Sequence, residues 1–287
     1  MRKSLIQWCD YTQNFWWGCN KLGVECAKCY MYRWQNDKGG NGRDIFRMSD
    51  SKFFEPLYWN EKGRVFTCSF SDFFLEEADC WRDDAWDVIR RTPKLTWMIL
   101  TKRPERIKAC LPPDWGDGWD NVWLGVSVGI QSSFDKAKIL AEIPAKIRFI
   151  SAEPLLEDLD FLIEFNGKPL MSHYQWVIFG GETGDEAGPY SYRPCKVEWI
   201  ERAIKDLKGN FDIAVFVKQM GSHLKREMRL KHYHGGDPLE WPKHLRILEH
   251  PDDLGLVAAG YHELPTATTA NCHLQNNKHV TIKIGHI

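Results

Sequence analysis

Six short apolar runs recur along the chain, at 64–70, 95–100, 122–126, 147–150, 176–179 and 213–217, and each gives way to polar residues. Runs this short, rich in β-branched and aromatic residues, predict buried strands. The polar endings are Ser69, Ser71 and Asp72 after the first run, then Thr101, Lys102, Arg103 and Pro104. Ser127 follows the third run, Ser151, Ala152, Glu153 and Pro154 the fourth, Gly180, Gly181 and Glu182 the fifth, and Lys218 and Gln219 the sixth. Helical patterns fill the gaps at 83–91, 104–110, 133–141 and 195–208, and 157–165 fits one less well. Ahead of the runs, 4–16 reads as a short strand entering a loop, 29–37 as an amphipathic helix, and 38–51, with Gly39, Gly40 and Gly42, as a loop.

Strands alternating with helices predict parallel βαβ units. The expected fold is α/β: a single parallel (β/α) barrel or partial barrel, TIM-like, over residues 1–249, with a flat two-sided sheet as the less suited alternative. The polar residues fall just past each run, at the carboxyl end of a strand, where barrel active sites are built. After residue 221 the periodicity fades into a polar, histidine-bearing stretch with a turn signal at Gly235-Gly236-Asp237-Pro238. Residues 250–287 read as a weakly structured, irregular extension.

Inside the loop at 17–30, Cys19, Cys26 and Cys29 are spaced C-x6-C-x2-C, directly after the first expected strand. Thiolates this dense suit a soft metal or an iron–sulfur cluster. A closed structural zinc site needs four ligands; three cysteines on a four-iron cluster leave one iron free to bind something else. Two other readings stay open: zinc completed by a distant histidine or by Cys68, and thiols that do nothing chemical. There is no second CxxC pair to make a zinc ribbon.

The chain has 287 residues, ample for one large core. Its net charge of −1 encodes no global pull toward nucleic acid or membrane, although a local basic mouth remains an option. No run is long and apolar enough to cross a bilayer, and the first residues lack a signal-peptide pattern, so a cytoplasmic protein is expected. Nine cysteines of which only three cluster argue against a disulfide framework. Fourteen tryptophans are a heavy load; many suit a core, and ring-rich loops also suit stacking on a flat ligand.

At the strand ends each polar group has two readings. Gly180-Gly181-Glu182 is a tight turn with a solvated acid, or a close backbone approach with a carboxylate for an ammonium. Glu153 is a ligand contact, or a mouth salt bridge to Arg148 or Lys218. Lys102 and Arg103 hold a phosphate or carboxylate, or are a solvated pair. Ser69, Ser71 and Asp72 bind ribose hydroxyls or a carboxylate, or cap the strand end. Ser127 and Lys218 at their own strand ends join this candidate set.

The cysteine loop, Ser69 to Asp72, Leu100 to Pro104, Trp123 to Ser127, Ser151 to Leu156, Gly180 to Gly184, Lys218-Gln219 and Gly235 to Pro238 together resemble a phage-associated family of uncharacterised conserved proteins, over roughly residues 5–248. That family in turn resembles radical S-adenosylmethionine enzymes. The resemblance implies a [4Fe-4S] cluster on Cys19, Cys26 and Cys29, S-adenosyl-L-methionine on its open iron, and an external electron donor. It implies a cofactor site drawn from Ser69, Ser71, Asp72, Lys102, Ser127, Glu153, Gly180, Gly181, Glu182 and Lys218, with reductive cleavage starting radical chemistry on a substrate. The chain departs from the usual pattern in three ways: six residues rather than three in the first cysteine gap, Tyr30 after the last cysteine rather than an aromatic before it, and Gly-Gly-Glu after about the sixth strand rather than the second. A nucleobase or nucleotide substrate is the expectation from the phage context and the tryptophan-rich loops. The rivals are a zinc-dependent barrel hydrolase or glycosylase acting on nucleic acid, and a non-enzymatic phage nucleic-acid-binding protein.

Overall fold

The computed structural model describes residues 3–255. Seven parallel strands lie side by side in chain order: β1 (Tyr11–Gln13), β2 (Gly63–Thr67), β3 (Leu95–Thr101), β4 (Val122–Ser127), β5 (Ile147–Ala152), β6 (Trp176–Gly180) and β7 (Ala214–Gln219). Every neighbouring pair is parallel, from Tyr11 opposite Val65 to Trp176 opposite Ala214. Strand order equal to sequence order makes a partial (β/α) barrel, and β1 and β7 remain its two edges. The connections carry α1 (Tyr30–Asp37), α2 (Asp79–Arg91), α3 (Pro104–Cys110), α4 (Phe134–Ala141) and α5 (Val197–Asn210), and α6 (Gly221–Glu227) follows β7.

The strands read as almost continuous apolar runs because both faces are covered. Outward residues such as Val65, Ile99, Val126, Ile150, Phe179 and Val217 pack with Trp86, Ile107, Phe134, Leu140 and Ile200 of the surrounding helices. Inward residues Phe66, Met98, Trp123, Phe149, Trp176, Ile178 and Phe216 form a separate core with Trp8. The alternation along each strand is the period of two that strand geometry imposes. Continued upward, it points Lys102, Ser127, Ser151, Glu153 and Lys218 to the same side, toward the carboxyl ends.

Four expectations change in detail. Of the strand expected within 4–16, Tyr11–Gln13 joins the sheet, while Trp16–Trp17 pairs separately and antiparallel with Phe46–Arg47; the residues before Tyr11 cross the interior, where Trp8 meets Phe66 at 4.6 Å and Trp176 at 6.0 Å. The first apolar run stops pairing at Thr67, because Cys68 takes a φ of 53° and lifts Ser69 to Asp72 into a loop. No helix forms over 157–165; instead Phe161 is buried against Phe134 and Phe179, filling a helix's place with single side chains. The faded stretch after 221 contains α6, and the chain then returns so that 247–249 run antiparallel along β7, with Val217 N–H donating to Ile247 at 2.8 Å and Glu249 N–H to Val215 at 3.0 Å. Packing continues through His250, which lies against Trp176 and Phe216. From 256 onward the expected tail lies outside the described residues.

Gly125 makes room in the inner core: a Cβ there would fall 2.3 Å from the Phe149 ring. Gly125→Ala should therefore cost about 1–3 kcal/mol through overpacking, with thermal unfolding lowered by roughly 2–4 °C per kcal/mol. Adding Phe149→Leu should recover part of the loss in the same melting experiment, and an unchanged melt for Gly125→Ala alone would show that the ring does not fill this space.

Candidate functional site

The carboxyl ends of the strands open onto a cavity of about 670 Å³, within the ~300–1,000 Å³ usual for small-molecule and cofactor sites. Cys19, Cys26, Cys29, Ser69, Ser71, Asp72, Lys102, Ser127, Glu153, Gly181, Glu182 and Lys218 all line it. Gly180 does not; it ends β6 behind Glu153, where a Cβ would come within 3.0 Å of the Glu153 carboxyl carbon. The strand endings and the cysteine loop thus share one mouth.

The loop between β1 and α1 is fastened over that mouth from several strands. Gly18, at φ 82°, passes so close to the next turn that a Cβ would sit 2.2 Å from the Asp44 carbonyl oxygen. Ser71 Oγ donates to the Gly18 carbonyl at 2.5 Å. Arg103, buried, donates to the Asn20 carbonyl at 2.7 Å and reaches the Cys19 sulfur at 3.7 Å. The Glu25 carboxylate accepts from Gly129 N–H at 2.6 Å, from Ser133 Oγ at 2.7 Å and from the Lys136 ammonium. Arg193 donates to the Val24 carbonyl at 2.8 Å, and the Tyr30 hydroxyl to the Ser69 carbonyl.

Burial, with Asp72 nearby, pushes the Cys19 thiol up to about 12 despite the pull of Arg103. A metal taking this sulfur must displace its proton, so binding there strengthens as pH rises. Cys68 also lines the cavity, but its side chain is buried in the outer core. Among the described residues no three or more histidine, cysteine or acidic side chains are gathered as a site for a metal ion. Burial works against the Lys102 ammonium, but Cys26, Glu25, Cys29 and Asp72 around it outweigh that and hold its pKa above the ordinary value.

Several strand-end groups have structural partners. Asp72 is buried and accepts from Thr101 Oγ1 at 2.7 Å, Lys102 N–H and Phe74 N–H at 2.9 Å each, and Arg103 at 3.3 Å, so it caps the end of β3. Ser69 Oγ pairs with the Asn14 side chain at 3.1 Å. Glu153 pairs with Lys218 at 2.5 Å and accepts from Gln219 at 3.1 Å; Arg148, the other expected partner, instead donates to the Ile143 carbonyl at 2.9 Å. Both Glu182 oxygens are taken by Arg193, through its backbone N–H at 2.8 Å and its guanidinium. Gly181 earns its place by proximity, since a Cβ would lie 2.2 Å from the Met220 carbonyl oxygen. One wall is aromatic: Phe70 stacks on Trp17 at 4.8 Å and 17°, with Trp34 and Tyr30 edge-on at 5.2 and 5.9 Å. Tyr30, Trp34 and Phe70 line the cavity.

A family profile described as a protein of unknown function, DUF5131, matches residues 3–247. The chain belongs to the DUF5131 family. Neither the curated proteins nor the solved structures contain a match to it. Among the described residues, no helix is long and apolar enough to cross a membrane.

In this DUF5131 chain, sequence reasoning located the cavity residues but missed those that hold them. Glu25 carried a signal, an acid placed between apolar Val24 and Cys26 inside the motif. Arg193 lies eleven residues beyond Glu182 in a turn-rich stretch and carried none. Trp8 and Ser151 also line the cavity; each is buried with a polar atom, Trp8 Nε1 and Ser151 Oγ, that has no hydrogen-bond partner among the described residues.

Two measurements check this account. Glu25→Gln should destabilise the protein by about 1–3 kcal/mol in denaturant unfolding, because bonds to a charged acceptor are lost in a buried place. It should also speed labelling of Cys26 by a thiol reagent, and unchanged labelling would show that the carboxylate does not restrain the loop. His234, on the cavity wall, is pressed down to about 4 by burial and by Lys218, Arg33, His232 and Lys225. The unfolded chain takes this proton near pH 6.5, while the folded protein resists it to about 4. Stability from this ring is therefore present above pH 6.5 and lost as pH falls toward 4. His234→Gln should flatten the decline in stability between those values, and an identical slope would remove His234 from the balance.

Proposed function

We propose that this protein is a radical S-adenosylmethionine-like enzyme acting on a small molecule, with a nucleobase or nucleotide as the favoured substrate class. One observation carries the reading: three cysteines of a single loop open on one cavity at the carboxyl ends of parallel strands. The residues fit the implied groups in donor chemistry and in room. Three sulfurs suit a four-iron cluster with an open iron, and the cavity volume accommodates a cofactor beside it. Cys19, Cys26 and Cys29 would hold the cluster, which when bound supplies an electron for reductive cleavage of S-adenosylmethionine. An external donor would replenish it.

The remaining contributions belong to the chain. Arg103 and Lys102 offset negative charge on the sulfurs. The aromatic wall of Tyr30, Trp34 and Phe70 offers faces for a flat ring. Glu153 and Glu182 lie at the mouth as carboxylates for an ammonium, each sharing its charge with Lys218 or Arg193, so ligand binding there involves exchange with those cations. Trp8 and the aromatic inner core close the floor to water.

Protein purified and reconstituted without oxygen should contain about four irons and four sulfides per chain, as such a cluster requires. After reduction with dithionite it should convert S-adenosylmethionine slowly to 5′-deoxyadenosine, and Cys26→Ala should abolish the conversion. Stoichiometric zinc, no acid-labile sulfide and no cleavage after reconstitution would sink the radical reading. With Cys68 among the residues that border the same cavity, that result would put the zinc-dependent hydrolase first.

A further inference from the structure

Four carboxylates on the cavity wall have their own cation: Glu25 with Lys136, Asp72 with Arg103, Glu153 with Lys218, and Glu182 with Arg193. Lys102 has no such partner among the described residues; its ammonium donates to Ser127 Oγ at 3.0 Å. Lys102 stands near Glu25 and Asp72, which are each committed to another cation, and so is a strand-end cation with no ion pair of its own, in a place where burial makes charge costly. Ser127 accepts from Lys102, and its own hydroxyl proton finds no acceptor among the described residues. Ser151 sits opposite Ser127 in the register of β4 and β5, one strand spacing of about 4.8 Å away. Only 1% of Ser151 is exposed, it lines the cavity, and its Oγ has no partner among the described residues. A buried hydroxyl left without a partner is a net cost to the fold.

We propose that Lys102, Ser127 and Ser151 form an anion subsite that receives the phosphate monoester or carboxylate of the small molecule this protein acts on. The chemistry is one-sided: an ammonium and two hydroxyls supply donors, and a phosphate or carboxylate oxygen only accepts. Two hydroxyls on adjacent strands can serve two oxygens of one anion while Lys102 supplies the charge. The inference deepens the reading above, on which the identity of the anion's bearer as substrate rests; binding itself does not require the cluster.

The test uses the full chain, stripped of metal by chelation, in calorimetric titrations. One arm compares adenosine monophosphate with adenosine, the other succinate with its uncharged diamide. In at least one arm the anion should bind about tenfold or more tightly than its neutral counterpart, and that arm identifies the group. Lys102→Met should weaken this binding about tenfold or more. Ser151→Ala should weaken it several-fold while unfolding no earlier than wild type, since the hydroxyl it removes has no protein partner. Should Lys102→Met fail to fold, Ser151→Ala decides. The proposal is overturned if neither anion binds better than its neutral counterpart. It is also overturned if Ser151→Ala lowers stability and leaves affinity unchanged, the result for a purely structural hydroxyl. Anion binding that persists in a protein unable to cleave S-adenosylmethionine would separate the two readings, keeping the subsite and discarding the radical chemistry.

Discussion

The Glu25 carboxylate holds the loop that holds the thiols. It is 6% exposed, and a charge taken that far from water persists only when its oxygens are engaged. Gly129 N–H, Ser133 Oγ and the Lys136 ammonium engage them. Burial raises the pKa, but Lys136, with Lys102 and Ser133, outweighs it and draws the pKa below the ordinary 4.5. Gly129 follows β4, and Ser133 and Lys136 belong to the start of α4. A loop leaving β1 is thereby fixed across the mouth to the middle of the sheet. The receiving site is itself constrained: a Cβ on Gly129 would lie 2.2 Å from the Pro154 carbonyl oxygen, so the loop, β4 and the turn after β5 set one another's positions.

Parallel strands covered on both faces print themselves on a sequence, because most residues of the run must be apolar. All six runs, and four of the helices between them, were legible for that reason. The residues before Tyr11 were not: Trp8 fills the barrel interior by reaching across it, and no local periodicity encodes a single inserted ring. The absent helix at 157–165 is a similar case, since Phe161 and Leu159 are buried as a helix face would be while the backbone follows another path. At the site, the types and places of the cavity residues were readable from their position after each strand. Their partners were not. Glu25 meets Gly129 and Arg103 meets Asn20 across more than eighty residues, and such pairings depend on closure of the whole fold. The Gly180-Gly181 pair illustrates the limit: the glycines are used for packing against Glu153 and Met220, a demand that resembles ligand contact when only the letters are seen.

The polar mouth and the aromatic floor divide the interior by height. Below, Trp8, Phe66, Phe149, Trp176 and Phe216 exclude water and give a rigid base. Above, carboxylates alternate with the cations that neutralise them. Charges placed on a dry aromatic base interact more strongly than they would in water, so each ion pair at the mouth also sets the positions of its neighbours. This arrangement accounts for how many side chains from separate strands keep fixed orientations around an open cavity.

A closed barrel has no sheet edges, and this one has two. β1 is three residues long, too short to template another strand. β7 is longer, but residues 247–249 lie antiparallel along it and occupy backbone groups that would otherwise face outward. Unpaired edges invite strands from other molecules. By capping β7 the returning segment closes an edge that a strand of another molecule could join, and a truncation before Ile247 would uncover that edge while keeping every residue that lines the cavity.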